Sequence, residues 1–407
     1  MAMTHWYSQT VENLSDSLVN YRSQFPLLAA AGVSLSVGFL LRSLLSDRHL
    51  EGPILHSPLT SAKSSAPGVD LPLDVLPGAR DVQTPYGSIR VYEWGPEDGP
   101  KVLCVHGITT PCIALGGLAH ALVDRGCRVM LFDLFGRGYS DCPSNLPQDE
   151  RLFATQIFLA LSSSKISWTG AGSGKFCLVG YSLGGGIAAS FASFFPQLLS
   201  SLVLIAPAGL IRDSQISFQS RLLYSGGFIP ERVLGYLVGR RLRAGPLSSP
   251  KPKHEKLSAE DALAEELPSQ GAAEVQVLSR SYPHVTVPSA VLWQVNHHHG
   301  FVHSFMSSMR HGPILAQRQR ESWERLGKFL STQAKLTPEE QSANGLPSDK
   351  VLILCGENDP IIVKGELVPD ATSALQGNAK FVYFDAGHEF PSTKYEEVAE
   401  HVFELLN

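Results

Sequence analysis

Charge and paired cysteine are both scarce in this chain. Charged residues make up 17% of its 407 positions, and the net charge is -5. No basic stripe stands out, so nucleic acid is not an expected partner. Only six cysteines are present, and none has the tight paired spacing of a disulfide framework or a zinc site. Cys104, Cys177 and Cys355 fall inside apolar strand-like runs, where a thiol acts as a small hydrophobe. That usage points to a reducing, intracellular setting. No internal repeat is found, and no cofactor or metal is expected.

Apolar residues are plentiful, at 43%, enough for a sizeable core that carries insertions. The longest uncharged apolar run is Leu27 to Leu41. Counted from Phe25 it just reaches the lower limit of about 17 residues for a spanning helix. It lacks the basic leader of a cleaved signal peptide, because Glu12 and Asp16 precede it. Residues 1–48 are therefore expected to carry a membrane anchor; the competing reading is a helix packed on the core or lying on a membrane surface. Positive charge is denser after the run (Arg42, Arg48, Lys63) than before it (Arg22), which favours a cytoplasmic location for the domain that follows. Residues 49–78, rich in Pro, Ser and Gly, read as a tether.

The most informative stretch is Gly180-Tyr181-Ser182-Leu183-Gly184. An apolar run, Phe176 to Val179, leads into it and a small-residue run, Gly185 to Ala189, leads out. That context reads strand, sharp turn, helix, with the serine hydroxyl pushed out of the sheet and glycines leaving room for the tight backbone. A serine hydroxyl is a weak nucleophile alone and needs a base, an orienting acid and an oxyanion site. Two later apolar runs supply candidates. Val351 to Cys355 runs into Gly356-Glu357-Asn358-Asp359-Pro360, and Phe381 to Phe384 runs into Asp385-Ala386-Gly387-His388. Ser182 is the candidate nucleophile, His388 the general base and Asp359 the residue that orients the imidazole. Glu357 and Asp385 are rival acids. Asp359 is preferred because a short loop past a strand end can aim it at His388. One oxyanion donor is expected from the N–H of Leu183. The other is expected from Ile108, on the turn that ends the apolar run Val102 to Val105, with His106 bracing that turn.

These residues, in this order, resemble the α/β-hydrolase superfamily. Four blocks carry the resemblance: His106-Gly107; Phe132-Asp133-Leu134-Phe135-Gly136-Arg137-Gly138-Tyr139-Ser140; the Gly180–Gly184 turn; and Gly356–Pro360 with Gly387-His388. The second is similar to the family's Asp-x-x-Gly-x-Gly-x-Ser loop, which shapes the site entrance and does no chemistry, so Asp133 and Arg137 are read as structural. The oxyanion turn, His-Gly-Ile-Thr, lacks the glycine-rich extension of many lipases. The general look is of monoacylglycerol-lipase-like or esterase-like members.

The resemblance implies an α/β fold: a mostly parallel central sheet with helices on both faces, and a large helical cap insertion. The core is expected over 79–210 and 349–407, opening with a hairpin turned at Tyr86-Gly87, and the cap over 211–348. Within the cap, helical patterns cover 217–238 and 317–330, and 243–270 reads as a mobile excursion. The run Trp293, His297, His298, His299, Phe301, His303, Phe305 is a candidate pocket mouth. Three adjacent histidines on a helix point about 100° apart, so they do not read as a metal site. The expected activity is hydrolysis of a carboxylic ester, lipid-like or otherwise apolar, through an acyl-enzyme. Acyl transfer, thioester or carbon–carbon bond cleavage, and a tethered non-catalytic binding protein remain alternatives.

Overall fold

The computed structural model describes residues 34–36, 38, 53–61, 71–170, 174–215, 231–243 and 277–407. The chain divides into two compact units, Met1–Leu50 with Gly227–Leu234, and Glu51–Gly226 with Gly235–Asn407. All the strands described below lie in the second. The expected anchor falls almost wholly outside the described residues, as does most of the expected excursion and the first part of the 217–238 helix. Among the described residues no helix is long and apolar enough to cross a membrane.

Among the described residues eight strands form one sheet: β1 (Arg80–Thr84), β2 (Gly87–Trp94), β3 (Lys101–Val105), β4 (Arg128–Phe132), β5 (Phe176–Tyr181), β6 (Leu199–Ile205), β7 (Val351–Gly356) and β8 (Lys380–Phe384). Their spatial order is β1-β2-β4-β3-β5-β6-β7-β8. The β1–β2 and β2–β4 pairs are antiparallel and every other pair is parallel. The hairpin joining β1 and β2 turns at Pro85-Tyr86, one residue earlier than the sequence suggested: Thr84 pairs with Gly87, which opens β2 with a φ of 103°. Burial of both sheet faces explains why β5 and β7 are apolar without alternation.

Helices flank the sheet. Gly116–Asp124 packs against Tyr395–Leu406, while Glu150–Ser162 and Ala316–Gln333 both pack against Leu183–Phe194. Ala316–Gln333 was expected to belong to the cap. Its buried stripe, Trp323, Leu326 and Leu330, and its contact with the helix that follows Ser182 make it a flanking layer of the core instead.

The expected tether also differs where it is described. Leu71, Val75 and Leu76 are buried, and the Tyr139 hydroxyl donates to the Leu71 carbonyl. Ile54–Leu55 pairs with Cys142–Pro143 in a two-residue ribbon. Proline, serine and glycine are frequent there, but a few spaced apolar side chains suffice to dock the backbone.

Candidate active site

The strand β5 ends at Tyr181, and Ser182 turns the chain into the helix Leu183–Phe194 with φ 53° and ψ -117°. A non-glycine residue with positive φ is uncommon and persists where its surroundings over-determine it. The Ser182 carbonyl is fixed by the N–H groups of Gly185 and Ala208 at 2.9 Å each. Two glycines make the turn possible. A Cβ at Gly180 would lie 2.2 Å from the Gly184 carbonyl oxygen, and one at Gly184 would lie 2.1 Å from that of Val105.

Ser182, Asp359 and His388 come together at the C-terminal ends of β5, β7 and β8. The Ser182 Oγ lies 3.0 Å from His388 Nε2, and His388 Nδ1 lies 2.7 Å from Asp359 Oδ2. The second carboxylate oxygen, Oδ1, accepts from the N–H groups of Ile361 and Ile362 at 2.8 Å each. The carboxylate is thereby held with one oxygen facing the ring. Tyr181 stacks beside the imidazole, 5.2 Å between centroids, and its hydroxyl donates to the His388 carbonyl at 3.2 Å. All three side chains are buried, His388 completely. A hydroxyl, imidazole and carboxylate joined in this way can take a proton from the hydroxyl and stabilise the resulting imidazolium.

The rival acids are engaged elsewhere. Glu357 pairs with Lys364 at 2.8 Å on the surface. Asp385 accepts from the Asn358 side chain at 3.0 Å and is exposed. The cysteines are no competing nucleophiles: all six are free and buried, and burial pushes Cys177 and Cys355 up to about 12.

The turn after β3 carries Ile108 and is pinned at three successive carbonyls. Gly107 O accepts from His106 Nδ1 at 2.9 Å, Ile108 O accepts from Arg137 Nε at 3.1 Å, and Thr109 O accepts from Gln294 Nε2. His106 also accepts the Leu134 N–H on Nε2 at 2.8 Å, so its proton sits on Nδ1. Burial, helped by the nearby Arg137 charge, lowers it to about 3. It braces the turn in the neutral form. Asp133 is likewise structural, accepting the Cys112 and Tyr139 N–H groups at 2.9 Å each. Only the second of these lies in its own loop.

Among the described residues no group of three or more His, Cys, Asp or Glu, within the histidine run or elsewhere, is placed to hold a metal ion. His298 is buried against the Ser140 carbonyl at 2.8 Å, whereas His297 hydrogen-bonds back to Trp293 in its own helix. Gln294, a neighbour of this run but not one of its residues, contacts the turn after β3, and nothing in the sequence distinguishes it. Besides Thr109 O it holds the Gly138 N–H at 3.1 Å.

Comparison with known proteins agrees with the topology. The profile of the alpha/beta hydrolase fold family matches residues 100–395. An uncharacterized protein of Mycobacterium tuberculosis is 32% identical over 153 residues, which is 38% of this chain and 42% of that one. A mouse (Mus musculus) protein named serine hydrolase-like is 29% identical over 131 residues, covering 32% of this chain and 40% of its own. The match thus spans less than half the length of these relatives. Among solved structures, the carboxylesterase CesB of Bacillus subtilis superposes with a TM-score of 0.53 at 18% identity, covering 82% of this chain and 93% of that one. The chain belongs to the alpha/beta hydrolase fold family.

Proposed function

We propose that the protein is a serine hydrolase that cleaves a carboxylic ester through an acyl-enzyme. The observation that carries this reading is the continuous chain Ser182 Oγ, His388, Asp359, at 3.0 and 2.7 Å. Ser182 attacks the ester carbonyl carbon while His388 Nε2 takes the hydroxyl proton. The tetrahedral oxyanion is held by the backbone N–H groups of Ile108 and Leu183. Collapse breaks the bond to the leaving alcohol, which receives the proton from His388. A water molecule then gives a proton to His388, attacks the acyl carbon and releases the carboxylic acid, and Ser182 regains its proton. Asp359 orients the ring throughout. Each oxyanion donor contributes on the order of 3 kcal/mol to the transition state.

An apolar acyl group is the preferred substrate part. A small cleft is lined by Pro207, Leu210, Ile211, Ile361, Ile362, Val363 and Leu367, together with the charged Glu366. Its walls connect directly to the site: Pro207 precedes Ala208, whose N–H holds the Ser182 carbonyl, and the Ile361 and Ile362 N–H groups hold Asp359. The serine hydrolase-like and carboxylesterase neighbours support the same reaction class. Attachment to a membrane through residues 27–41, facing the cytoplasm, is supported by the apolar run and by the free state of all six cysteines. Deletion of residues 1–48 is then expected to release the protein from the membrane fraction.

The deciding experiment is labelling with a fluorophosphonate. Covalent phosphonylation of the wild type, with loss of fluoride, and no labelling of Ser182→Ala supports the enzyme. A folded wild type that takes no label and hydrolyses no p-nitrophenyl ester is a non-catalytic binding scaffold.

A further inference from the structure

The turn that carries Ile108 is held from outside by two buried side chains with no part in proton transfer. The Arg137 guanidinium is fully buried. Its Nε donates to Ile108 O at 3.1 Å, one terminal nitrogen donates to Phe135 O at 2.9 Å and to Ser304 Oγ, and the other donates to Ser308 Oγ at 2.9 Å. Gln294, also fully buried, donates to Thr109 O and accepts from the Gly138 N–H. Gln294 lies on the helix Val287–His297, and Ser304 and Ser308 lie on Phe301–His311. Both helices fall between β6 and β7. Three segments distant in sequence therefore meet: the turn after β3, the loop after β4 and the insertion.

A trans peptide is planar, with its C=O and N–H pointing in opposite directions. Fixing a carbonyl therefore aims the N–H of the next residue. His106 on Gly107 O aims the Ile108 N–H. Arg137 and Gln294 do the same for the next two peptide planes and so prevent the turn from flipping. We propose that Arg137 and Gln294 are positioning residues of the oxyanion site, which lock the Ile108 N–H in its donor orientation and make that orientation depend on the seating of the 287–311 helices. The proposal rests on the serine hydrolase reading. It assigns this part of the insertion a fixed role as the back wall of the oxyanion turn, so substrate entry does not involve its lifting away.

The geometry distinguishes positioning from bulk stability. Loss of a whole oxyanion donor costs about 100- to 1,000-fold in kcat. A donor kept but misdirected is expected to cost about 10- to 100-fold. The test uses the full chain with p-nitrophenyl butyrate, each rate divided by the active-site concentration from fluorophosphonate titration. Gln294→Leu, close in shape but unable to donate, and Arg137→Lys, charged but without the planar fork, are expected to lower kcat per titrated site by about 10- to 100-fold with KM within twofold. A residue acting only through stability would lower the titrated fraction and leave kcat per site intact. Should either substitution prevent folding, the double variant Ser304→Ala with Ser308→Ala, which keeps Arg137 but removes two of its acceptors, decides the question. A fall of about 3- to 10-fold in kcat per site supports the proposal, and a value within twofold of wild type overturns it. A wild type that neither turns over the ester nor takes the label overturns the underlying reading as well, and so separates the two failures.

Discussion

Two neighbouring regions of the same sheet end bury one aspartate and one histidine each, and put them to opposite uses. Beyond β3 and β4, His106 and Asp133 spend their polar atoms on backbone groups: Gly107 O and the Leu134 N–H for the ring, the Cys112 and Tyr139 N–H groups for the carboxylate. Beyond β7 and β8, Asp359 spends one oxygen on backbone and turns the other to His388, whose second nitrogen faces Ser182. Residue type and burial are alike in the two pairs. What differs is whether a nitrogen and an oxygen are left for a reactive partner. The first pair can only hold a loop, and the second can move a proton.

That contrast breaks most sharply at the two aspartates. Asp359→Asn is expected to leave the fold intact and lower kcat by about 10,000-fold, because the amide no longer holds the imidazole in the required tautomer. Steady-state hydrolysis beside circular dichroism checks this.

The imidazoles give the next largest effect. Burial lowers His106 to about 3 and His298 to about 4, from 6.5. Between those values and 6.5 the unfolded chain binds protons that the folded chain refuses. Stability from these two groups is complete above about pH 6.5 and is lost as pH falls toward 4 and then 3, at about 1.4 kcal/mol per pH unit for each. Denaturant unfolding between pH 7 and 4.5 is expected to show a loss of a few kcal/mol. Replacing His106 with Gln is expected to flatten that slope.

Asp133→Asn comes third. It removes the charge from a carboxylate that accepts two N–H bonds and is expected to cost about 1–3 kcal/mol of stability. Turnover per folded molecule should change only a few-fold, so a rate loss near that of Asp359→Asn would abolish the distinction between the pairs. The smallest effect belongs to the rival acids. Glu357→Gln is expected to change stability by less than about 0.5 kcal/mol, because its Lys364 partner is on the surface. Neither it nor Asp385→Asn should alter kcat, and a large loss in either would move the orienting role away from Asp359.

Much of this arrangement is legible in the sequence, and the reasons are local. Strand runs, the glycines around Ser182 and the carboxylate and histidine just past β7 and β8 are short-range signals. The close approach at Gly180 and Gly184 shows why the turn tolerates little else. The choice of Asp359 over Glu357 follows from loop direction, and the observed bonds agree with it. The misses have two causes, distant partners and misleading local composition. Gln294 and Ser304 have ordinary side chains whose partners lie far away along the chain, so no spacing announces them. The helix Ala316–Gln333 looked like cap because sequence shows that it is amphipathic but not which surface covers its apolar face. Leu71, Val75 and Leu76 were masked by the proline and glycine around them.

The pairing of β6 with β7 has one more consequence. Leu202 lies beside Val351 and Ile205 beside Leu354, although the whole insertion intervenes. Its two ends are thus clasped as sheet neighbours, whatever happens in between. Severing the polypeptide inside that excursion would leave an amino-terminal piece bearing Ser182 and a carboxy-terminal piece bearing Asp359 and His388, each still offering a strand edge to the other. The molecule is built as two complementary halves that the connecting segment spares from having to find one another.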